Sequence, residues 1–278
     1  MRVPGDYIGF LVYVTQDMQV RLFQIDAFTT ERFSGNPAAV MLLESYPGDH
    51  LLQALAAENN LAETAFIVPE DADFRIRWFT PTVEVPLCGH ATLASAAVIL
   101  ERLEPTRNFV IFRSASGPLT VSRSELGYVM DFPVRPCSAI KPPKDLAAVL
   151  GSPFEEVVWD GFNFLVCLPC AAAVRNLSPD LSAIARMPAA GVIVTAAGDG
   201  EYDCVSRYFA PAKGIPEDPV TGGAHCALTP FWAARLGKNE LLAFQASARG
   251  GTLRCTLRGD RVEIAGSCVF YLEGKAEW

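Results

Sequence analysis

Hydrophobic and polar residues alternate along most of the chain in short segments, a pattern typical of β-strands. The first clear segment is 20–28, where apolar and polar positions alternate and β-branched and aromatic residues are frequent. Glycine and proline separate most of these segments from the next. The same pattern predicts further strands at residues 38–43, 64–68, 74–79, 110–112, 119–122, 128–132, 156–159, 163–168, 192–196, 202–209, 242–245, 252–257, 261–264 and 269–272.

A few longer segments have the spacing or composition of helices. In 50–60 the apolar residues lie on one helical face, and 91–103 and 224–236 are rich in alanine. Shorter helices are predicted at 144–150 and 180–186. Residues 133–143 contain four prolines and form the best candidate for a linker.

The chain contains an internal repeat with an offset of 130 residues. The sequence RWFTP at 77–81 matches RYFAP at 207–211, and a three-residue gap then aligns 89–91 with 222–224. Each copy predicts a strand, a loop, a glycine turn and an alanine-rich helix. We therefore expect two similar halves, 18–133 and 134–278, preceded by an extension of residues 1–17. The closing strands could pack back on the first half.

Composition narrows the function without identifying it. The chain has 278 residues, 50% of them hydrophobic, and a formal net charge of −8. That charge argues against a protein that binds nucleic acid and against a polybasic membrane anchor. No apolar run approaches the ~20 residues of a membrane span, and no secretory signal is evident. We expect a cytoplasmic protein with no membrane partner.

Cysteine and histidine usage does not suggest a metal centre. The eight cysteines are scattered, which predicts free, mostly buried thiols. Cys167 and Cys170 form a CxxC pair with no second pair at matching spacing, and the pair ends a predicted strand, whereas a thioredoxin-like site lies at a helix start. Only three histidines are present, so a site of several histidines would use nearly all of them. We expect no metal and no organic cofactor.

The two glycine turns carry the most specific chemical signal. Gly89 opens the first alanine-rich helix, and Gly222 and Gly223 open the second. Two such helix starts facing each other across a cleft would bind a small carboxylate through their backbone N–H groups. His90 and Asp218 lie beside these turns and suit proton transfer. Taken singly, His90 is as consistent with a helix cap, and Asp218 with a turn residue.

Glu63 begins a predicted strand among apolar neighbours. Partial burial there would raise its pKa into the range in which a carboxyl both takes and gives a proton. Composition alone favours an ordinary exposed carboxylate at this position. His225, inside the second alanine-rich helix, is equally consistent with the core.

Five motifs in order resemble the PhzF family, the phenazine-biosynthesis isomerase-like proteins. They are DAFT at 26–29, FSGNPAAV at 33–40, ETAF at 63–66, CGHAT at 88–92 and EDPVTG at 217–222. The resemblance covers the chain from about residue 20 to its end. It implies the α/β diaminopimelate epimerase-like fold, in which two pseudo-symmetric domains each wrap a curled sheet around a central helix.

The resemblance also implies an activity and a site. Members are cofactor-independent isomerases that move a proton, in the phenazine enzyme along 2,3-dihydro-3-hydroxyanthranilate, and a homodimer is expected. The family's acid/base glutamate matches Glu63, its site histidine His90 and its site aspartate Asp218. The leading hypothesis is an isomerase acting on a small carboxylate-bearing metabolite, with Gly89, Gly222 and Gly223 binding the carboxylate.

One departure from the family pattern keeps alternatives open. The phenazine enzymes usually have serine where this chain has Gly223, so the phenazine substrate itself is in question. Epimerases of the superfamily carry two cysteines across the cleft, whereas here the paired positions hold Cys88 and Asp218. An epimerase that uses Cys88 with a non-thiol partner is one alternative. A non-catalytic metabolite-binding protein of the same fold is another.

Overall fold

The computed structural model describes residues 19–278, so the predicted extension at 1–17 lies outside the described residues. The strands are β1 Gln19–Ala27, β2 Asn36–Leu42, β3 Glu63–Glu70, β4 Asp73–Phe79, β5 Glu84–Val85, β6 Phe109–Ser114, β7 Gly117–Ser124, β8 Gly127–Pro133, β9 Ser138–Ala139, β10 Glu156–Trp159, β11 Asn163–Cys167, β12 Gly191–Ala197, β13 Cys204–Ala210, β14 Ile215–Asp218, β15 Glu240–Gln245, β16 Gly251–Arg258, β17 Arg261–Gly266 and β18 Cys268–Glu277. The α-helices are α1 Asp49–Asn59, α2 Gly89–Val98, α3 Leu146–Leu150, α4 Ala171–Arg175, α5 Leu181–Ala185 and α6 Gly222–Leu236.

Strand pairing follows the same pattern twice along the chain. In the first half β1–β2 and β3–β4 are antiparallel, β2–β3 and β4–β6 are parallel, and β6, β7 and β8 form an antiparallel meander. In the second half β10–β11 and β12–β13 are antiparallel, β11–β12 and β13–β15 are parallel, and β15, β16 and β17 form the meander. The repeat seen in sequence therefore corresponds to a repeated topology.

The repeated arginine shows how closely the two copies correspond. Arg77 on β4 donates two hydrogen bonds to Glu84 on β5, at 2.7 Å each. Arg207 on β13 donates in the same way to Glu217 on β14, at 2.7 and 2.9 Å. A planar guanidinium matches a carboxylate in this two-pronged geometry, so each pair holds a short strand against its neighbour.

Two ladders join the halves into one continuous sheet. β8 pairs with β17, and β18 leaves the second half to pair along the whole of β1. Gln19 faces Glu277 at one end of that ladder and Ala27 faces Cys268 at the other. The boundary between residues 133 and 134 remains a prediction.

Each curled sheet encloses one central helix, α2 in the first half and α6 in the second. Every residue of α2 from His90 to Val98 is buried. A helix that is apolar on all sides is stable only when it is surrounded, and the main core cluster includes residues of both helices. Smaller clusters lie under α1 and under α3, α4 and α5 on the outer faces. Along residues 19–278, no helix combines the length and apolar character needed to cross a membrane.

The structure contains every predicted strand and helix within the described residues, with boundaries shifted by a few positions. A π-helical turn at Ile99–Leu103 continues α2, so that the two together cover the helix predicted at 91–103. The short strands β5, β9 and β14 and the helix α4 were not predicted. The CxxC pair ends a strand, as predicted, because β11 ends at Cys167, but it also precedes a helix, since α4 begins directly after Cys170. All eight cysteines are free thiols, as predicted, and five of them are buried.

Candidate active site

The starts of α2 and α6 meet at the junction between the halves. A Cβ atom added to Gly89 would lie 3.9 Å from the Cα atom of Gly222. Neither helix has a side-chain cap, since Cys88 and Thr221 make no capping hydrogen bond. The first N–H groups of both helices therefore lack an intrahelical acceptor and carry partial positive charge. Such a pair of ends suits a small anion.

Glu63 is the first residue of β3 and is only 9% exposed. Burial, and to a smaller extent the charge of Asp218, raise the pKa of its carboxyl to about 8. Its Oε2 atom has no hydrogen-bond partner among the described residues. A buried carboxyl with an unused oxygen, next to the helix starts, can accept a proton from a ligand and return it.

His90, the second residue of α2, stands next to Glu63. Its Nε2 atom lies 3.3 Å from Oε2 of Glu63, but the two are not aligned as a hydrogen bond. Burial lowers the pKa of His90 to about 3, so the ring is neutral. Nδ1 lies 3.2 Å from the amide nitrogen of Asn36, which can only donate. Nδ1 therefore faces a donor, which favours a ring proton on Nε2, on the side of Glu63, although the two amide protons already go to Asp218 and Val220 at shorter distances.

Asp218, at the end of β14, belongs to the second half and faces Glu63. Thr221 donates to one of its oxygens at 2.5 Å and Asn36 to the other at 2.8 Å. Burial raises the pKa of Asp218 to about 6, although these two hydrogen bonds and the charge of Lys213 oppose the rise. Two carboxyls in one cleft with separated pKa values are typical of acid/base chemistry.

Removal of the Glu63 charge is expected to stabilise the fold in a pH-dependent way. Because the folded pKa lies above the ordinary value of about 4.3, the folded state binds more protons than the unfolded chain between about pH 4 and pH 8. Wild-type stability therefore falls as pH rises through that window. The free energy of unfolding of Glu63→Gln should equal that of the wild type near pH 4. Above pH 4 it should exceed the wild-type value by up to ~1.4 kcal/mol more for each pH unit.

Urea unfolding at several pH values measures this difference. Glu58→Gln is the control, since Glu58 is an exposed glutamate on α1. The free energy of unfolding of Glu58→Gln should vary with pH in the same way as that of the wild type. A Glu63→Gln curve that also runs parallel would show that the Glu63 carboxyl is not perturbed in the folded protein.

Cys88 completes the cluster around Glu63. Its Sγ atom lies 3.4 Å from Nδ1 of His90, and burial together with the charge of Glu63 raises the pKa of the thiol well above its usual range. A protonated thiol is a poor base, so Cys88 here acts as a neighbour of the acid/base groups. Glu63, Cys88 and His90 offer ligand atoms within 4.8 Å of one another and could hold a metal ion. The absence of a metal requirement remains a prediction.

Several supporting residues were missed by the sequence analysis. Asn36 is fully buried, and besides Asp218 it donates to the carbonyl oxygen of Val220 at 2.9 Å. Gln245 donates to the carbonyl of Asp218 and accepts from the backbone N–H of Thr221, both at 2.8 Å. These residues position Asp218. A repeat alignment offers one clue, because the equivalent strands β2 and β11 both begin with buried asparagine.

His225 lies outside the acid/base cluster. Its Nδ1 atom bonds to the carbonyl oxygen of Thr221 at 2.8 Å, and burial lowers its pKa to about 4. The neutral ring therefore supports the first turn of α6. Gly223 follows Gly222 in that same turn, where an added Cβ atom would be in contact with the guanidinium of Arg135, 3.7 Å from its terminal nitrogens.

Comparison with known proteins gives a consistent family and fold. A model of the family described as phenazine biosynthesis-like protein matches residues 25–274. An uncharacterized isomerase of Pseudomonas aeruginosa is 50% identical over 258 residues, covering 93% of this chain and 98% of that protein. The crystal structure of a PhzF-family phenazine biosynthesis protein from Enterococcus faecalis superposes with a TM-score of 0.90 at 42% identity, covering 93% of this chain and 99% of that one.

A more distant structure shows the same fold. A hydroxyproline epimerase from Agrobacterium vitis superposes with a TM-score of 0.56 at 13% identity, covering 93% of this chain and 92% of that one. The predicted α/β diaminopimelate epimerase-like fold is therefore confirmed.

Proposed function

The chain belongs to the phenazine biosynthesis-like protein family, and we propose on that basis that it is a cofactor-independent isomerase acting on a small carboxylate-bearing metabolite. The arrangement around Glu63 carries the proposal. A buried carboxyl of raised pKa has a free oxygen beside a neutral histidine, next to two uncapped helix starts. An acid/base group can catalyse proton transfer only if it lies within hydrogen-bond distance of the substrate and has a pKa near the working pH.

The proposed reaction is a proton shift between two carbon atoms. The helix starts at Gly89 and Gly222 hold the substrate carboxylate, with the N–H of Gly223 as a further donor. Glu63, ionised, removes a proton from a carbon activated by an adjacent unsaturated or carboxyl group. The electron pair moves along the conjugated system, and protonated Glu63 returns the proton at the far carbon. His90 donates a hydrogen bond from Nε2 to the substrate and keeps its proton, and Asp218 helps to position the substrate. Glu63 takes one proton and gives one back, so no atom is gained or lost.

Deuterium uptake from solvent tests this proposal. Small amino acids and β,γ-unsaturated carboxylates would be incubated with the protein in D₂O and followed by NMR. We expect uptake at one carbon of at least one acid, with a rate that rises toward pH 8 as Glu63 ionises. Uptake that survives Glu63→Gln but is lost in Cys88→Ser would favour the epimerase alternative. Binding with neither deuterium uptake nor an isomerised product would favour a metabolite-binding protein.

Filling the gap between the helix starts should weaken binding of the carboxylate without unfolding the protein. In Gly89→Ala the new methyl group would meet only ordinary contacts, at 3.8 to 3.9 Å from Met130, Phe132 and Gly222. Alanine also suits a helix better than glycine, so the melting temperature should be unchanged or higher. Calorimetry should show at least a tenfold weaker affinity for valerate or glutarate.

Gly274→Ala on β18 is the matched control, because its added methyl group lies 3.7 Å from Leu272 and far along the sheet from the helix starts. It should bind both acids as the wild type does. Full affinity in Gly89→Ala would mean that the carboxylate binds elsewhere. A homodimer, expected from the family resemblance, and a cytoplasmic location, expected from the sequence, remain predictions, and light scattering measures the first.

A further inference from the structure

Arg135 is fixed beside the start of α6 by an unusual feature of that helix. Pro230 lies inside α6 and has no N–H to give to the carbonyl four residues earlier. That carbonyl belongs to Cys226, and it accepts instead the backbone N–H of Arg135 at 3.0 Å. The linker between the halves is therefore anchored on α6 at this residue.

The side chain of Arg135 extends from this anchor toward the helix start. Its guanidinium lies over the ring of Phe162, 5.1 Å from the ring centre. Both terminal nitrogens are 3.7 Å from the point where a Cβ atom of Gly223 would be. Because residue 223 has no side chain, nothing from that residue separates the guanidinium from the first turn of α6.

Arg135 has no anionic partner among residues 19–278. No carboxylate lies within 4 Å of its guanidinium, and no side-chain hydrogen bond from it is formed within that part of the chain. Arg77 and Arg207, by contrast, each bind a glutamate with two hydrogen bonds. A half-buried guanidinium whose donors meet no acceptor of the protein is free to bind an anionic group of a ligand.

A second cation increases the local positive charge. Lys213 forms no ion pair within the described residues, and burial together with the charge of Arg135 lowers its pKa. The charges of Asp218, Asp160 and Glu63 oppose that shift with smaller effects. Two cations near each other on one side of the cleft repel until an anion lies between or beside them.

We propose that Arg135 binds a second anionic group of the substrate, so that the natural substrate is a dicarboxylate. The inference rests on the proposed function, in which the helix starts hold the first carboxylate. The forked guanidinium gives the second carboxylate two parallel hydrogen bonds, and Lys213 adds charge. The substrate class is thereby narrowed from small acids to acids with carboxylates at both ends.

Calorimetry with two probes of equal length tests this assignment. Glutarate has five carbons and two carboxylates, and valerate has five carbons and one. The wild type should bind glutarate at least tenfold more tightly than valerate. Arg135→Met keeps a side chain that packs on Phe162 but removes the donors, and it should weaken glutarate binding tenfold to a hundredfold. Valerate binding should change less than twofold.

Two further variants make the result specific. Arg186→Met removes another unpaired arginine, an exposed one after α5, and should bind both acids as the wild type does. Arg135→Lys keeps the charge and should restore only part of the preference, since an ammonium cannot form the paired hydrogen bonds. Circular dichroism and the melting temperature confirm that each variant is folded.

The outcomes separate this inference from the proposed function. Equal weakening of both acids in Arg135→Met, no weakening at all, or no binding of glutarate by the wild type would overturn the inference. Arg135-dependent glutarate preference without deuterium uptake from any acid would overturn the proposed isomerase and leave the binding assignment intact. Deuterium uptake from an acid, together with a glutarate affinity that does not depend on Arg135, would do the reverse.

Discussion

Glu63→Gln should lower the rate of deuterium uptake by two to four orders of magnitude, the usual contribution of a positioned acid/base group. Glutamine has the same shape but cannot accept and return a proton at the unpaired Oε2 position. Binding of the carboxylate should be retained or improved, because the variant also removes a buried charge from the cleft. Loss of rate with retained binding is the signature of an interaction made only during proton transfer.

NMR of the exchanging carbon and calorimetry of the same acid provide the two measurements. Glu58→Gln serves again as the control and should exchange at the wild-type rate. A Glu63→Gln rate within tenfold of the wild type would remove Glu63 from the mechanism and leave His90 and Cys88 as the remaining proton carriers within contact distance.

Asn36→Asp should have the largest effect on stability, a loss of about 3–5 kcal/mol at pH 8. Asn36 is fully buried and donates to Asp218 at 2.8 Å and to the carbonyl of Val220 at 2.9 Å. An aspartate of the same shape replaces that donor by a second carboxylate against Asp218. Both hydrogen bonds are lost, and two negative charges share one buried site.

The sign of the pH dependence distinguishes this mechanism from simple misfolding. Mutual repulsion raises the folded pKa values of the two carboxyls, so the extra instability should grow as pH rises from about 4 and shrink again on acidification. Urea unfolding at pH 5 and pH 8 measures it. Asn108→Asp, at an exposed loop position, is the control and should lose little unfolding free energy at either pH. A loss for Asn36→Asp that is equal at both pH values would contradict the charge argument.

The parts of the site that the sequence predicts are those with a local signal. Glycine turns before alanine-rich segments mark the starts of α2 and α6, and the 130-residue repeat indicates that the two are equivalent. Gly89 and Gly222 are therefore predictable as a pair. The burial of Glu63 is harder to predict from the sequence, because it depends on where β3 lies relative to the helices of both halves.

Supporting residues are harder to predict because their partners are distant in sequence. Asn36 contacts Asp218 across 182 positions, and in sequence it resembles an ordinary turn residue before proline. Arg135 lies in a proline-rich segment that predicts only a linker. Its position depends on Pro230, almost a hundred residues later, and on a carbonyl left free inside a helix. Such long-range complementarity becomes visible only once the strands are paired.

The pairing of β18 with β1 has a consequence for how the protein is made. Gln19 and Glu277 are partners in this ladder although 258 positions separate them. On the ribosome, β1 emerges first and its outer edge must wait for β18. Until then an unpaired strand edge is available to other chains, and such edges promote aggregation. The first half therefore cannot complete its sheet during synthesis, and its final folding step comes after the second half has been translated.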